Sequence, residues 1–168
     1  EAARLLARAC AASDAETRPG DWIRQHTSLA QAQLAAGQPR KALATTRKAT
    51  ALHRSKGLGR LNGMLPDALW WQHCQALRAA GGRKAAAEAE AALAFAYGVV
   101  VDTVGNLSDE GLRRNALNKI EARREIVRAI KNDRGALQEV GGVRRVEPFA
   151  FDFDRDVVVE RRQHGPRA

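Results

Sequence analysis

Two stretches lying 44 residues apart are copies of one hairpin. "LAQAQLAAGQPRKALATTRKA", residues 29–49, and "HCQALRAAGGRKAAAEAEAAL", residues 73–93, align Leu29 with His73, Ala30 with Cys74, Gly37 with Gly81 and Ala42 with Ala86. A small residue midway along the first helix and another early in the second let two backbones approach closely, and the glycine makes the turn. Such a hairpin cannot bury its apolar face alone, so copies stack and share one core. The expectation is an all-α chain of stacked antiparallel helical hairpins.

Periodicity and breakers place the elements. Glu1 to about Ala12 reads as a helix ended by "SDAETRPGD", and Asp21 is the expected cap of a second helix, Trp22 to Ala36, stopped by Gly37. A third runs from Pro39 to about Lys56, with proline in the first turn where a missing N–H does no harm. After the connector "GLGRLNGMLPD" a fourth starts at Pro66 or Asp67 and ends at Gly81–Gly82, and a fifth spans Arg83 to about Val104. A sixth, capped by Ser108, runs from Asp109 to about Asn132. Residues 1–132 therefore read as a helical repeat domain and 133–168 as a linker with an extended tail.

The doubled hairpin resembles the tetratricopeptide repeat family. The first copy matches at Ala30, Gly37, Ala42 and Ala49, the second at Trp70, Cys74, Leu77, Gly81 and Ala86, with Leu93 where a small residue is usual. Gly37 to Gly81 is 44 residues, against about 34 for the family, which implies longer helices or an expanded connector. The resemblance implies a tetratricopeptide-like superhelix with a concave groove. In that register Trp70, His73, Cys74 and Leu77 share the face packed inside the hairpin. Adjacent side chains on a helix diverge by about 100°, so His73 and Cys74 read as core rather than as base and nucleophile or half a metal site. Trp71 points either to the concave surface or onto the preceding repeat. Arg24, Thr27 and Gln31, with Trp71, Gln75 and Arg78, form the candidate partner-binding groove, suited to an extended peptide bearing carboxylates.

Charge sharpens the expectation about partners. The chain carries a formal net charge of +9, and between Asp21 and Asp67 there is no acidic residue while eight basic ones occur. Arg40, Arg47 and Arg54 recur every seven residues, as do Lys41 and Lys48, so they form a basic stripe on the third helix. An acidic protein surface or a phosphate backbone would be attracted. Nucleic acid is the alternative partner, set second because no recognition motif accompanies the stripe and only eight aromatic residues are present. The longest stretch without Asp, Glu, Lys or Arg is the fifteen residues Gln25 to Pro39, too short to span a bilayer, so no membrane partner is expected. Cys10 and Cys74 have no paired spacing, which fits a reducing, cytoplasmic setting. No phosphate loop, carboxylate pair or triad is recognisable, so no catalytic residue, metal or cofactor is assigned.

Downstream, "LSDEGLRRNALNKIEARREIVRAI" places Leu112, Ala116, Ile120, Val127 and Ile130 on one helical face, widened by Leu117 and Ile126. With "LWWQHCQALRAAG" it is similar to the last repeats of helical regions in bacterial multidomain signalling proteins, where such segments precede GAF, histidine kinase or nucleotide cyclase modules. That resemblance implies a non-catalytic interaction and regulatory scaffold, a piece of a longer chain whose other domains are partners. In the tail, "VEPFAFDFDRDVVVERR" alternates Phe149, Phe151 and Phe153 with Asp152, Asp154 and Asp156, the period of a strand. This short β-like tail would pair with "GGVRRV", lie in a groove, or join another subunit as a dimer. It is not a calcium loop, because Val157 and Gln163 stand at the glycine and glutamate positions.

Overall fold

Three of the helices begin with proline at their first position: α2 (Pro19–Ala35), α3 (Pro39–Ser55) and α4 (Pro66–Ala80). The fixed φ and absent N–H of proline suit a first turn, where the N–H would have no helical partner. The computed structural model describes residues 1–139, with side chains to Asp133. The described residues are all-α, with α1 (Ala2–Ala11) before these three and α5 (Arg83–Gly105), α6 (Glu110–Asn118) and α7 (Glu121–Glu139) after them. The tail expectation, including Phe149 to Asp156, lies outside the described residues. The chain divides into two units, Glu1–Val99 and Val100–Ala168, and α5 supplies residues to both.

Two helix starts differ from expectation. α2 begins at Pro19 with Arg18 as its N-cap, so Asp21 sits in the first turn, where its carboxylate meets the positive end of the helix dipole. It also binds Arg24 at 3.1 Å. Asp109, not Ser108, caps α6, accepting the Leu112 N–H at 2.8 Å.

In the first unit α2 packs on α1, α3 and α4, and α3 packs on α4. Ala30, Ala42 and Ala76, one from each of α2, α3 and α4, are fully buried in a single cluster edged by Leu34 and Leu43. Three alanines in contact bring three backbones close, as the small residues of the first hairpin predict. The turn after α2 is closed by Gly37 N–H to Leu34 O and Gln38 N–H to Gln33 O, both 2.9 Å, with Gly37 at φ +68°. The second copy departs from the first. Gly81 ends α4 at φ +73°, ψ 177°, and Gly82 follows at φ +95°. This different turn sends α5 away with its first residues exposed, so Ala86, aligned with buried Ala42, faces solvent. Burial in α5 begins later, at Ala89, Ala92, Leu93 and Ala96.

α4 is buried on nearly every side, at Leu69, Trp70, Trp71, Gln72, His73, Cys74, Ala76 and Leu77. The connector before it is pinned to α2. A Cβ at Gly20 would lie 1.8 Å from the Asn62 carbonyl oxygen, so only glycine permits this approach.

The second unit corrects the expected single sixth helix. Lys119 and Ile120 interrupt it, and α7 starts afresh at Glu121. Arg123, 4 % exposed, donates from Nη1 to the Ala116 carbonyl at 3.0 Å, and Arg124 donates to the Asn118 carbonyl. Those are C-terminal carbonyls of α6, left without helical N–H partners and satisfied by guanidinium groups instead. The break also changes the apolar face: Leu112 is 54 % exposed, whereas Leu117, Ile126 and Val127 are buried.

Candidate functional site

Arg47 and Arg54 lie seven residues apart on α3 and so project from one side of it. Together with α4 and α5 they wall a groove of about 600 Å³ within the first unit. Trp70 and His73, three residues apart on α4, form its floor, and Glu88 and Phe95 of α5 form the far side. Leu58, 40 % exposed and just beyond α3, stands at one edge.

The floor is held by a connected set of polar contacts. His53 is fully buried. Its Nε2–H donates to the Gly59 carbonyl at 2.9 Å, which leaves Nδ1 to accept the Trp70 indole N–H at 3.0 Å. These two bonds fix the tautomer of the imidazole and the orientation of the indole. Trp70 and Phe95 pack with ring centroids 4.6 Å apart and tilted by 44°. His73 meets the Trp70 ring edge-on at 6.0 Å, and its Nδ1 lies 2.9 Å from the Thr46 hydroxyl. The Thr46 hydroxyl is also 3.2 Å from the Leu43 carbonyl, so it joins the imidazole to the α3 backbone. Burial lowers the His73 pKa to about 4, helped by the positive charges of Arg54 and Arg47 and opposed by Glu88. The ring is neutral at neutral pH.

The rim is cationic. The Arg54 guanidinium carbon lies 4.7 Å from the centre of the Trp70 ring, a cation–π contact. Arg47 reaches across to Glu88, Nη2 to Oε2 3.3 Å, between partly exposed side chains. Such a pair is worth at most about 1 kcal/mol and is easily exchanged.

All five stripe residues, Arg40, Lys41, Arg47, Lys48 and Arg54, are exposed on α3, but they do not share one site. Arg47 and Arg54 enter the groove just described, whereas Lys48 borders a smaller cavity, about 270 Å³, with Cys10, His26, Leu29 and Thr45. Arg40 and Lys41 lie in the first turn of α3 and line neither. Of the expected concave set, Arg24, Gln31 and Arg78 are exposed and Gln75 is half-buried. Thr27 donates to the Ile23 carbonyl at 2.9 Å. Trp71 is only 8 % exposed and so does not present an open ring on the surface. None of these six lines either cavity.

Sequence reasoning missed His53, Thr46, Glu88 and Phe95. A signal was present for the first two: Thr46, Thr50 and His53 recur with Ala42 and Ala49 at helical spacing, marking a buried face of α3 with polar members. Phe95 and Glu88 depend on how α5 leaves the Gly81–Gly82 turn, which no local pattern specifies.

Among the described residues no three His, Cys, Asp or Glu side chains come together as metal ligands would, and no helix is long and apolar enough to cross a membrane. Compared with protein-family models, with curated proteins and with solved structures, the chain finds no match.

Proposed function

We propose that the chain is a non-catalytic protein-interaction module of tetratricopeptide-like stacked hairpins, working as a regulatory scaffold within a bacterial signalling protein. The stacking is supported by α3 and α4 packing on α2 and on each other, the arrangement a second hairpin needs in order to share a core with the first. The observation that carries the interaction role is the basic face of α3. Its five cationic side chains are exposed, and they belong to an interval with no acidic residue in sequence. Charge concentrated in this way exceeds what the Arg47–Glu88 pair and the Arg54–Trp70 contact use and favours an acidic partner. A structural rather than chemical use of the polar interior fits the same reading, since His53, His73 and Thr46 are committed to one another or to backbone and indole groups. The buried free thiols of Cys10 and Cys74 fit a reducing, cytoplasmic setting.

A pull-down from bacterial lysate with the full chain tests this, run with nuclease and repeated with Arg40, Arg47 and Lys48 changed to glutamate. Protein partners that survive nuclease and are lost on charge reversal are the expected result. Recovery of nucleic acid alone, also lost on reversal, would overturn it in favour of a nucleic-acid-binding module using the same stripe.

A further inference from the structure

We infer that the groove between α3, α4 and α5 is a peptide-binding site for an acidic segment carrying one aromatic side chain, gripped by Arg54 and Arg47 with its ring against Phe95. The inference rests on the interaction reading above and supplies the ligand and the place.

The groove offers two kinds of surface at once. Arg54 has its guanidinium carbon 4.7 Å from the centre of the Trp70 ring, so the side chain is already held beside the groove it lines. A guanidinium fixed in this way has lost part of its rotamer freedom before binding, and a carboxylate can take two parallel bonds from it. Among the described residues Arg54 forms no ion pair. Arg47 does, and its partner indicates the chemistry the site accepts: the Glu88 carboxylate lies 3.3 Å away across the groove, where a ligand carboxylate would lie. Beside the two arginines the lining is apolar at half-buried Phe95, exposed Ala91 and the edge residue Leu58.

Spacing selects the ligand further. Residues seven apart on a helix are about 10 Å apart along its axis. An extended, polyproline-like peptide returns to the same side every third residue, after about 9 Å. Two carboxylates three positions apart therefore meet Arg47 and Arg54, and a ring between them meets Phe95. For a stacked base the groove offers Phe95 alone, because Trp70 is met by Arg54 and its N–H is bound to His53.

The test is fluorescence anisotropy with a dye-labelled hexapeptide that has two aspartates three positions apart and one phenylalanine between them. Saturable binding is expected, weakened tenfold or more by Arg54→Gln or Arg47→Gln. It should change less than twofold with Arg40→Gln, which lies on the same helix face but outside the groove. Glu88→Gln should tighten binding severalfold by releasing Arg47, an effect that mere loss of structure would not produce. Circular dichroism melts of each variant separate folding from binding. A peptide with serine in place of phenylalanine should bind at least tenfold more weakly. Equal affinity for both peptides, with Arg40→Gln as damaging as Arg54→Gln, would overturn the groove and leave the scaffold reading standing on charge alone. Failure of the peptide to bind while a single-stranded oligonucleotide of equal charge does so would overturn both.

Discussion

His73 shows how one side chain can look functional and serve packing. In sequence it stands beside a cysteine and two tryptophans. In the structure it is 5 % exposed, bonded to Thr46 and neutral, with burial the main cause of its lowered pKa. A pH dependence follows. The unfolded chain takes up this proton near the ordinary histidine pKa of about 6.5, whereas the folded chain resists until about 4. Stability is fully present above the unfolded value and is lost as pH falls between the two, by on the order of 3 kcal/mol for a shift of this size. His26 is shifted in the same direction, again mainly by burial, and adds to the loss. Melting temperature is expected to be flat from pH 8 to 7 and to fall from pH 6.5 to 4. His73→Asn, which keeps a polar atom near Thr46, should remove much of that slope. A variant with an unchanged slope would show that the proton is taken up elsewhere.

At the scale of elements, what was legible is what local chemistry decides. The bounds of α3 and α4 follow from proline at the start and glycine at the end, and the Ala30–Ala42 contact follows from small residues on either side of a glycine turn. The interruption at Lys119–Ile120 was not legible, because no proline or glycine marks it. It exists because Arg123 and Arg124, from the next helix, satisfy carbonyls that a continuous helix would have satisfied itself. Arg123→Met keeps the apolar stem and removes the donor. It should destabilise the chain by about 1.5–3 kcal/mol, the range for hydrogen bonds to charged groups, readable in urea denaturation. The groove was legible only in part: the Arg47–Arg54 spacing is in the sequence, but α5 reaches it through the Gly81 turn. At φ +73°, ψ 177° Gly81 occupies backbone space nearly closed to other residues, and no atom crowds its missing Cβ. A larger residue there would meet backbone strain rather than overpacking. Gly81→Ala should cost about 1–3 kcal/mol, less the few tenths to 1 kcal/mol gained by stiffening the unfolded chain. Gly20→Ala differs in kind, since its Cβ would meet a backbone oxygen at 1.8 Å and the connector would have to move. Loss of stability with protease cleavage near Asn62 is the expected sign. Cleavage unchanged in Gly20→Ala would mean that the connector is not held there.

For the whole molecule the governing fact is an imbalance of charge along the sequence, eight basic and no acidic residues between Asp21 and Asp67 within a net charge of +9. Successive arginines of the Arg40–Arg47–Arg54 series are about 10 Å apart along α3, and each such pair repels by roughly 0.4 kcal/mol in water without salt. Folding holds these charges at fixed separation, whereas the unfolded chain can spread them. At 10 mM ionic strength the screening length of about 30 Å lets the whole stripe repel itself, and at 150 mM, with about 8 Å, neighbouring turns scarcely interact. Added salt should therefore stabilise the free protein, raising its melting temperature by a few degrees between these limits. Arg40→Glu with Lys48→Glu should raise the melting temperature at low salt and flatten its salt dependence, while weakening capture of an acidic partner. The two effects have opposite signs, as expected of charge retained for binding at a cost to stability. A melting temperature that falls with salt would show that the stripe already lies against carboxylates of its own chain, and the reversed variant would then be the less stable of the two.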